Sequence, residues 1–207
     1  MIKQFWHNLI TDKSFEELQN LRREVNFVLI GGWAIYFYTH QLKSKDIDII
    51  VDMENLNRLK QKYNVYKNER LCKYEIKKEN VDIDIYIPYW SNLGLKVESI
   101  MENTVSVEGF ILPLKEILLI LKLFAYSQRK NSLKGAKDII DIISLLYYTE
   151  IDFVLFKNCI KDYNLLQLEK ELREILNSQF SVEELDINQK QYKDFKKKIL
   201  AQLDISS

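Results

Sequence analysis

Two aspartates separated by one residue, Asp46 and Asp48, are the side chains of this sequence best suited to chemistry. They begin the segment DIDIIVD, in which polar and apolar residues alternate as they do in a half-buried β-strand, so both carboxylates are predicted to project from one face. Two close carboxylates repel one another unless a cation lies between them. Because carboxylate oxygens are ligands that Mg²⁺ and Mn²⁺ prefer, the spacing predicts a divalent-metal site.

A third carboxylate is available in a second alternating segment, VDIDIYI, at residues 81–87. Asp82 and Asp84 lie two residues apart and therefore share one face of the predicted strand. Either of them could complete a two-metal site if this strand lay beside the one that carries Asp46 and Asp48. The residues alone leave the choice between Asp82 and Asp84 open.

A pair of glycines, Gly31 and Gly32, precedes the first aspartate pair. They follow the β-branched segment VNFVLI, predicted to be a buried strand, and precede an apolar segment predicted to be a helix. Glycines allow the backbone to approach a phosphate closely, and the first turn of a helix presents unpaired N–H groups to it. A strand, a glycine turn, a helix and an Asp-x-Asp strand, in this order, predict phosphoryl chemistry.

These motifs lie in a region of alternating strands and helices, which is followed by a helical region. Up to residue 112 short strand-like segments alternate with helical ones, and after Pro113 the apolar period becomes 3.6. We therefore predict an α/β (α+β) domain over residues 1–112 and an α-helical domain over residues 113–207. The predicted strands are 25–30, 46–52, a hairpin of 71–77 with 81–87 and a hairpin of 104–107 with 110–112. The predicted helices are 14–23 (opened by a capping box at Ser14), 33–40, 55–63, 113–129, 136–148, 153–162, 165–177 and 182–203.

Composition indicates neither a disulfide-rich protein nor a membrane protein, and it is neutral on nucleic-acid binding. Thirty basic and thirty acidic residues cancel, so net charge gives no argument for or against nucleic acid. Cys72 and Cys159 lie far apart without histidine neighbours, which indicates neither a zinc site nor a disulfide framework. Since there is no apolar run long enough for a signal peptide or a membrane span, a reduced, cytoplasmic setting without membrane contact is expected.

The order of these motifs resembles the signature of the DNA-polymerase-β nucleotidyltransferase superfamily. Gly31-Gly32, thirteen intervening residues and Asp46-Ile-Asp48-Ile match its glycine turn and its Asp-x-Asp/Glu pair. The resemblance implies a mixed sheet with flanking helices, an NTP donor, and Mg²⁺ or Mn²⁺ held by Asp46 and Asp48. Asp84 matches the third metal ligand best, and Asp82 is the alternative. The superfamily often has serine where this chain has Gly32, so phosphate contacts would rest on backbone N–H groups.

A second set of residues is similar to the AbiEii-type nucleotidyltransferases, toxin components of bacterial and archaeal abortive-infection and toxin–antitoxin pairs. The set consists of a lysine and an arginine on one predicted helix and two aspartates on the next: Lys122, Arg129, Asp138 and Asp141. The resemblance implies that Lys122 and one of the aspartates join the active site, that the acceptor is RNA, particularly a tRNA end, and that the partner is a cognate antitoxin. The structural alternative is that Lys122 extends to water and that Lys137 pairs with Asp141 along the helix.

Other functions remain open. Gly31-Gly32-Trp-Ala-Ile followed by Lys45-Asp46-Ile-Asp48-Ile is also similar to antibiotic nucleotidyltransferases that act on lincosamides or aminoglycosides. In such an enzyme Lys45 would lie near the nucleotide and Asp84 would act as general base. A non-catalytic nucleotide-binding relative and a structural protein with an acidic strand surface are the remaining alternatives.

Overall fold

The computed structural model describes residues 2–205, with side chains from residue 9 onward. Backbone contacts divide the chain into two compact units, residues 1–114 and residues 115–207. The first unit combines a sheet with helices, and the second is helical. The predicted α/β region followed by an α-helical region is confirmed, whereas the assignment of residues 1–112 and 113–207 as two domains stays a prediction.

The first unit contains seven strands and four helices in its described part. Two of these elements, β3 and α4, were not predicted from the sequence. In chain order the elements are α1 (Ile2–Glu24), β1 (Val28–Ile30), α2 (Gly31–Thr39), β2 (Ile47–Ile50), α3 (Met53–Lys62), β3 (Val65–Asn68), β4 (Lys73–Lys77), β5 (Asp82–Tyr86), α4 (Val97–Glu102), β6 (Thr104–Val107) and β7 (Phe110–Pro113).

The strands form one mixed sheet in the order β3-β4-β5-β2-β1-β7-β6. β2 pairs with β5 and β1 pairs with β7 in parallel, and the other neighbours are antiparallel. The two predicted hairpins, β4–β5 and β6–β7, are confirmed. This order places β2 and β5, the strands that carry the aspartate pairs, side by side in the middle of the sheet.

The central strands are held in place by burial on both faces. All three residues of β1 are buried, and in β2 only Asp48 is partly accessible. Strands covered on both faces are typical of sheets enclosed by helices. The strand β2 is also shorter than the predicted 46–52, because Asp52 leaves the sheet and caps α3, where its carboxylate accepts the Asn55 backbone N–H at 2.7 Å.

The helix α2 lies against this sheet as a largely apolar element. Trp33 is fully buried, and its indole N–H donates to the Ser14 hydroxyl at 2.9 Å. The prediction that Ser14 caps a helix beginning there is wrong, because α1 runs through this position and the Ser14 side chain is committed to Trp33. This hydrogen bond holds the start of α2, and therefore the glycine pair, against α1.

The second unit packs its helices around α5. Residues 117–123 of α5 are all buried, and the helix contacts α6, α7 and α8. In the part of the chain that the structure describes, no helix is both long and apolar enough to cross a membrane. The helices are α5 (Lys115–Arg129), α6 (Leu133–Tyr148), α7 (Phe153–Asp162), α8 (Gln167–Ser178) and α9 (Gln189–Ile205), with a 3-10 turn at Glu183–Leu185.

The starts of α5 and α9 differ from the prediction for reasons that the structure shows. Pro113 is the last residue of β7 and does not lie in the first turn of α5, because its position is taken up by pairing with Thr104 on β6. The predicted single helix over residues 182–203 is interrupted, since Asp186 adopts a left-handed backbone conformation (φ 55°) between the 3-10 turn and α9.

Candidate functional site

Asp48 and Asp84 are register partners on the neighbouring parallel strands β2 and β5. Paired residues on adjacent strands project from the same face, and the strands lie about 4.8 Å apart, so the two carboxylates lie beside each other. Asp82 lies two residues earlier and is bound by Lys77, whose Nζ is 3.0 Å from its Oδ2. The side chain of Asp82 is 44% exposed and that of Asp84 is 15% exposed. Of the two candidates, Asp84 is therefore the one adjacent to Asp48.

Asp46 lies outside the strand. It occupies a bend directly before β2 and is half-buried, and its neighbour Lys45 is exposed. The prediction that Asp46 belongs to the strand is wrong, because pairing with β5 begins only at Ile47. The position of the Asp46 carboxylate is therefore set by the conformation of the bend that joins α2 to β2.

The Asp48 carboxylate lies directly against the glycine pair. Gly31 has a left-handed backbone (φ 70°), and a Cβ atom built on it would lie 2.1 Å from Asp48 Oδ2. Only glycine fits this position without displacing the carboxylate. The helix α2 begins at Gly31, and the preceding Ile30 supplies no side-chain cap, so the first-turn N–H groups next to Asp48 are not satisfied by the capping residue.

Two further charged residues, Lys73 and Glu75 on β4, belong to the same site and were missed in the sequence. Glu75 pairs with Asp84 across β4 and β5, so Asp48, Asp84 and Glu75 form one row over three adjacent strands. The Lys73 ammonium donates to Asp84 Oδ2 at 2.6 Å and lies 2.9 Å from Glu75 Oε1. The lysine is nearly buried, with 9% of its surface exposed.

These contacts keep both groups charged. Burial lowers the pKa of the Lys73 ammonium, but its hydrogen bonds to Asp84 and Glu75 outweigh burial and hold the pKa above the ordinary 10.5. The hydrogen bond from Lys73 outweighs burial at Glu75 and holds the pKa of that carboxyl below the ordinary 4.5. The alternation of KYEIK was visible in the sequence, but its register against β5 was not.

The donor set fits a hard divalent cation, with one restriction. Asp84 Oδ1 is buried and has no hydrogen-bond partner among the described residues, which is the kind of unsatisfied acceptor that a cation would satisfy. Within residues 9–205, however, no group of three His, Cys, Asp or Glu side chains is close enough together to hold a metal ion. The three predicted carboxylates are therefore not preassembled into a cage, and Lys73 already binds the other oxygen of Asp84.

The four residues of the second sequence motif come together inside the helical unit. The Lys122 ammonium on α5 donates to Asp141 Oδ2 at 2.6 Å and lies 3.4 Å from Asp138 Oδ1. Arg129 binds both oxygens of Asp138, with Nε 2.7 Å from Oδ2 and Nη2 2.9 Å from Oδ1. Asp138 and Asp141 on α6 are 1% and 2% exposed.

This network links α5 to α6 through buried ion pairs. The alternative that Lys122 extends to water is wrong, because the residue is 8% exposed and its ammonium lies between two carboxylates. Removing one member of a buried pair leaves an uncompensated charge, so the network contributes to the geometry of the helical unit. A role of these four residues in binding nucleotide stays a prediction.

Comparison with known proteins supports the fold. No family model matches the sequence, and no curated protein matches it significantly. Among solved structures, a candidate nucleotidyltransferase from H. pylori superposes with a TM-score of 0.53 at 17% identity over 96% of this chain and 97% of that one. JHP933 from Helicobacter pylori gives 0.47 at 14% identity over 91% of each chain. An antigenic nucleotidyltransferase-like protein from Paracoccidioides brasiliensis gives 0.40 at 16% identity over 87% of this chain and 95% of that one. The first likeness confirms the mixed-sheet nucleotidyltransferase fold.

Proposed function

We propose that this protein is a metal-dependent nucleotidyltransferase, which moves a nucleoside monophosphate from an NTP to an acceptor hydroxyl. The observation that carries the proposal is the position of the Asp48 carboxylate, which lies against Gly31 at the start of α2 and beside its register partner Asp84. Carboxylates placed beside the first-turn N–H groups of a helix can hold a metal ion and a phosphate at adjoining positions. The shared fold is consistent with this chemistry.

The residues of the site would have distinct roles in this reaction. Asp46, Asp48 and Asp84 would hold Mg²⁺ or Mn²⁺, which when bound neutralises phosphate charge and polarises a phosphoryl oxygen. The backbone N–H groups of Gly31 and Gly32 would bind the triphosphate. The acceptor oxygen attacks the α-phosphorus, the bond from the α-phosphorus to the bridging oxygen breaks, pyrophosphate leaves, and the hydroxyl proton passes to a nearby carboxylate or to water. The protein contributes positioning and charge.

The acceptor is proposed from sequence resemblance. An RNA acceptor and a cognate antitoxin are supported by the similarity of residues 119–141 to the AbiEii-type enzymes. In that proposal Lys122, Arg129, Asp138 and Asp141 contribute to nucleotide binding, and Lys45 is a further nucleotide contact. A drug hydroxyl in place of RNA would leave the metal chemistry unchanged.

The proposal is tested by transfer of label from each α-labelled NTP, with Mg²⁺, to total RNA and to the protein itself. Asp48→Asn and Asp84→Asn should lower transfer by at least about a hundredfold, because metal Lewis-acid catalysis contributes several kcal/mol and each 1.36 kcal/mol is tenfold. Asp82→Asn should retain most of the activity, since Asp82 is bound by Lys77 and is not the partner of Asp48.

The matched control is Glu54→Gln, which makes the same chemical change at a carboxylate on α3 that is 73% exposed and paired with Arg58. It should leave transfer unchanged. Transfer that survives in Asp48→Asn would contradict the proposed site. If transfer were lost in Asp82→Asn and retained in Asp84→Asn, the third carboxylate would be Asp82.

A further inference from the structure

We propose that Lys73 is a built-in cation of this site: its ammonium takes the place of a second divalent ion beside Asp84, so the site binds a single divalent metal ion. The inference rests on the proposed function for the ion held by Asp48 and Asp84. It departs from the two-metal arrangement that the three aspartates predict, and it gives a role to a residue outside the glycine and aspartate motifs.

The geometry of Lys73 is that of a bridging cation. Its Nζ lies 2.6 Å from Asp84 Oδ2 and 2.9 Å from Glu75 Oε1, distances typical of strong charge-assisted hydrogen bonds. All three side chains are largely shielded from water, with exposures of 11%, 15% and 15% for Lys73, Glu75 and Asp84. The ammonium therefore joins carboxylates from two strands, as a shared metal ion would.

The sheet itself requires a cation at this position. Glu75 and Asp84 are directly opposite each other on antiparallel strands, where like charges destabilise the pair. Lys73 lies two residues before Glu75 and therefore on the same face of β4, from which it reaches both carboxylates. A divalent ion at Asp84 Oδ2 would have to displace a buried, doubly hydrogen-bonded ammonium and leave it without partners, which is costly. Asp84 Oδ1, by contrast, has no hydrogen-bond partner in the described structure and can join Asp48 at one ion.

A second lysine on the same strand provides a comparison. Lys77 also projects from this face of β4 and binds Asp82 at 3.0 Å, but its side chain is 49% exposed. Its distance to Glu75 Oε2 is 3.9 Å. An ion pair this exposed contributes little to stability, and it would not exclude a metal ion from Asp82. Substitution of Lys77 therefore removes one lysine from the strand without removing the cation that bridges Asp84 and Glu75.

The test counts Mn²⁺ ions bound to the full chain, by electron paramagnetic resonance of the free ion during titration with Mn²⁺ alone. The number of Mn²⁺ ions that the Asp84→Asn variant binds is the background, and it is subtracted from the count for every other form. We expect one Asp84-dependent ion in the wild type, in Lys77→Met and in Lys73→Arg, which keeps the positive charge. We expect two ions in Lys73→Met, which retains the apolar stem and exposes both carboxylates to the metal.

Each outcome distinguishes this inference from the proposed function. Two ions in the wild type, or a count in Lys73→Met that stays at one, would overturn the role of Lys73 and leave the proposed transferase standing. No Asp84-dependent ion in any form would overturn the metal site itself. One ion in the wild type without transfer of label would support the role of Lys73 and count against the transferase. If Lys73→Met does not fold, the wild-type count and that of Lys73→Arg decide.

Discussion

Gly31 has no room for any side chain. Its backbone is left-handed, and a Cβ atom would lie 2.1 Å from Asp48 Oδ2, 2.7 Å from Cγ and 2.9 Å from Cβ of the same residue. Because the clash involves the whole carboxymethyl group, the aspartate could not escape by rotating its oxygens alone. The glycine therefore determines where the Asp48 carboxylate lies, and through it the position of any ion that Asp48 binds.

Gly31→Ala should lower the free energy of unfolding by about 2 kcal/mol or more, because a strained left-handed residue and the displacement of Asp48 both add to the cost. Gly94→Ala is the matched control, since Gly94 shares the left-handed backbone (φ 87°) and lies in the segment between β5 and α4. Gly94→Ala should lower the free energy of unfolding by about 1 kcal/mol, because it introduces backbone strain alone. Urea denaturation measures both, and equal losses would show that contact with Asp48 adds nothing.

At the scale of elements, the turn between α5 and α6 brings the buried ion pairs together. Ser132 caps α6 by accepting the Gly135 N–H at 3.0 Å, and a Cβ atom at Gly135 would lie 2.4 Å from the carbonyl oxygen of Arg129. The two helices can therefore join this closely only if residue 135 is glycine. The tight connection between the helices places the Arg129 guanidinium beside the carboxylate of Asp138, which lies about one helical turn after Gly135.

Gly135→Ala should destabilise the protein, although the same substitution inside a helix ordinarily stabilises it by up to about 1 kcal/mol. The added methyl group meets backbone and not a flexible side chain, so α5 or α6 must shift, at about 1–3 kcal/mol. Urea denaturation followed by far-UV circular dichroism measures the change. Lys134→Ala, at an exposed position of the same turn, should stay within about 0.5 kcal/mol. A stabilised Gly135→Ala variant would contradict the close approach.

At the scale of the whole molecule, stability should depend on pH through ion pairs that join distant segments of the chain. Glu24 at the end of α1 accepts hydrogen bonds from Lys62 at 2.5 Å and from Tyr63 at 2.8 Å, both at the end of α3. Burial by itself raises the pKa of Glu24, but these hydrogen bonds outweigh it and hold the pKa below the ordinary 4.5. Burial and the hydrogen bond to Glu24 raise the pKa of Tyr63 well above its ordinary value.

A carboxyl whose pKa is lower in the folded state stabilises the fold above its unfolded pKa, and this contribution is lost as the pH falls through the folded value. Glu24→Gln should therefore cost about 1–2 kcal/mol at neutral pH, and the difference from wild type should shrink as the pH falls below the ordinary carboxyl pKa of 4.5. Urea denaturation followed by tryptophan fluorescence measures this difference. All three tryptophans precede residue 115, so their fluorescence reports on the unit that contains Glu24. In the control Glu54→Gln the difference from wild type should be small at every pH, and a Glu24→Gln difference that is constant with pH would contradict the assignment.

The sequence predicted the elements that depend on local residues. Alternation in DIDIIVD and VDIDIYI, and the change to a period of 3.6 after residue 112, depend on neighbouring residues. The strand-and-helix region, both hairpins and the helical region were therefore predicted correctly. The strand β3 was missed because its partly exposed residues show no apolar alternation, and α4 because six residues carry little helical period. Ser14 was assigned to the wrong role because its partner, Trp33, lies nineteen residues away.

The candidate site likewise combines residues that the local sequence predicted with residues that only the tertiary structure identified. The types and spacing of Gly31 and Asp48 predicted that the glycine pair and the aspartate strand lie together, and the structure places Asp48 against Gly31. A metal ion and a phosphate at this position stay a prediction. Only the tertiary structure showed that Asp84, and not Asp82, is the register partner of Asp48 and that Lys73 and Glu75 lie beside it, because these positions depend on strand order and register. Register is fixed by which residues the sheet buries on each face when the strands pair, and a shift by one residue would turn every side chain to the opposite face. That pairing joins segments far apart in the chain, so the local pattern of either segment does not contain it.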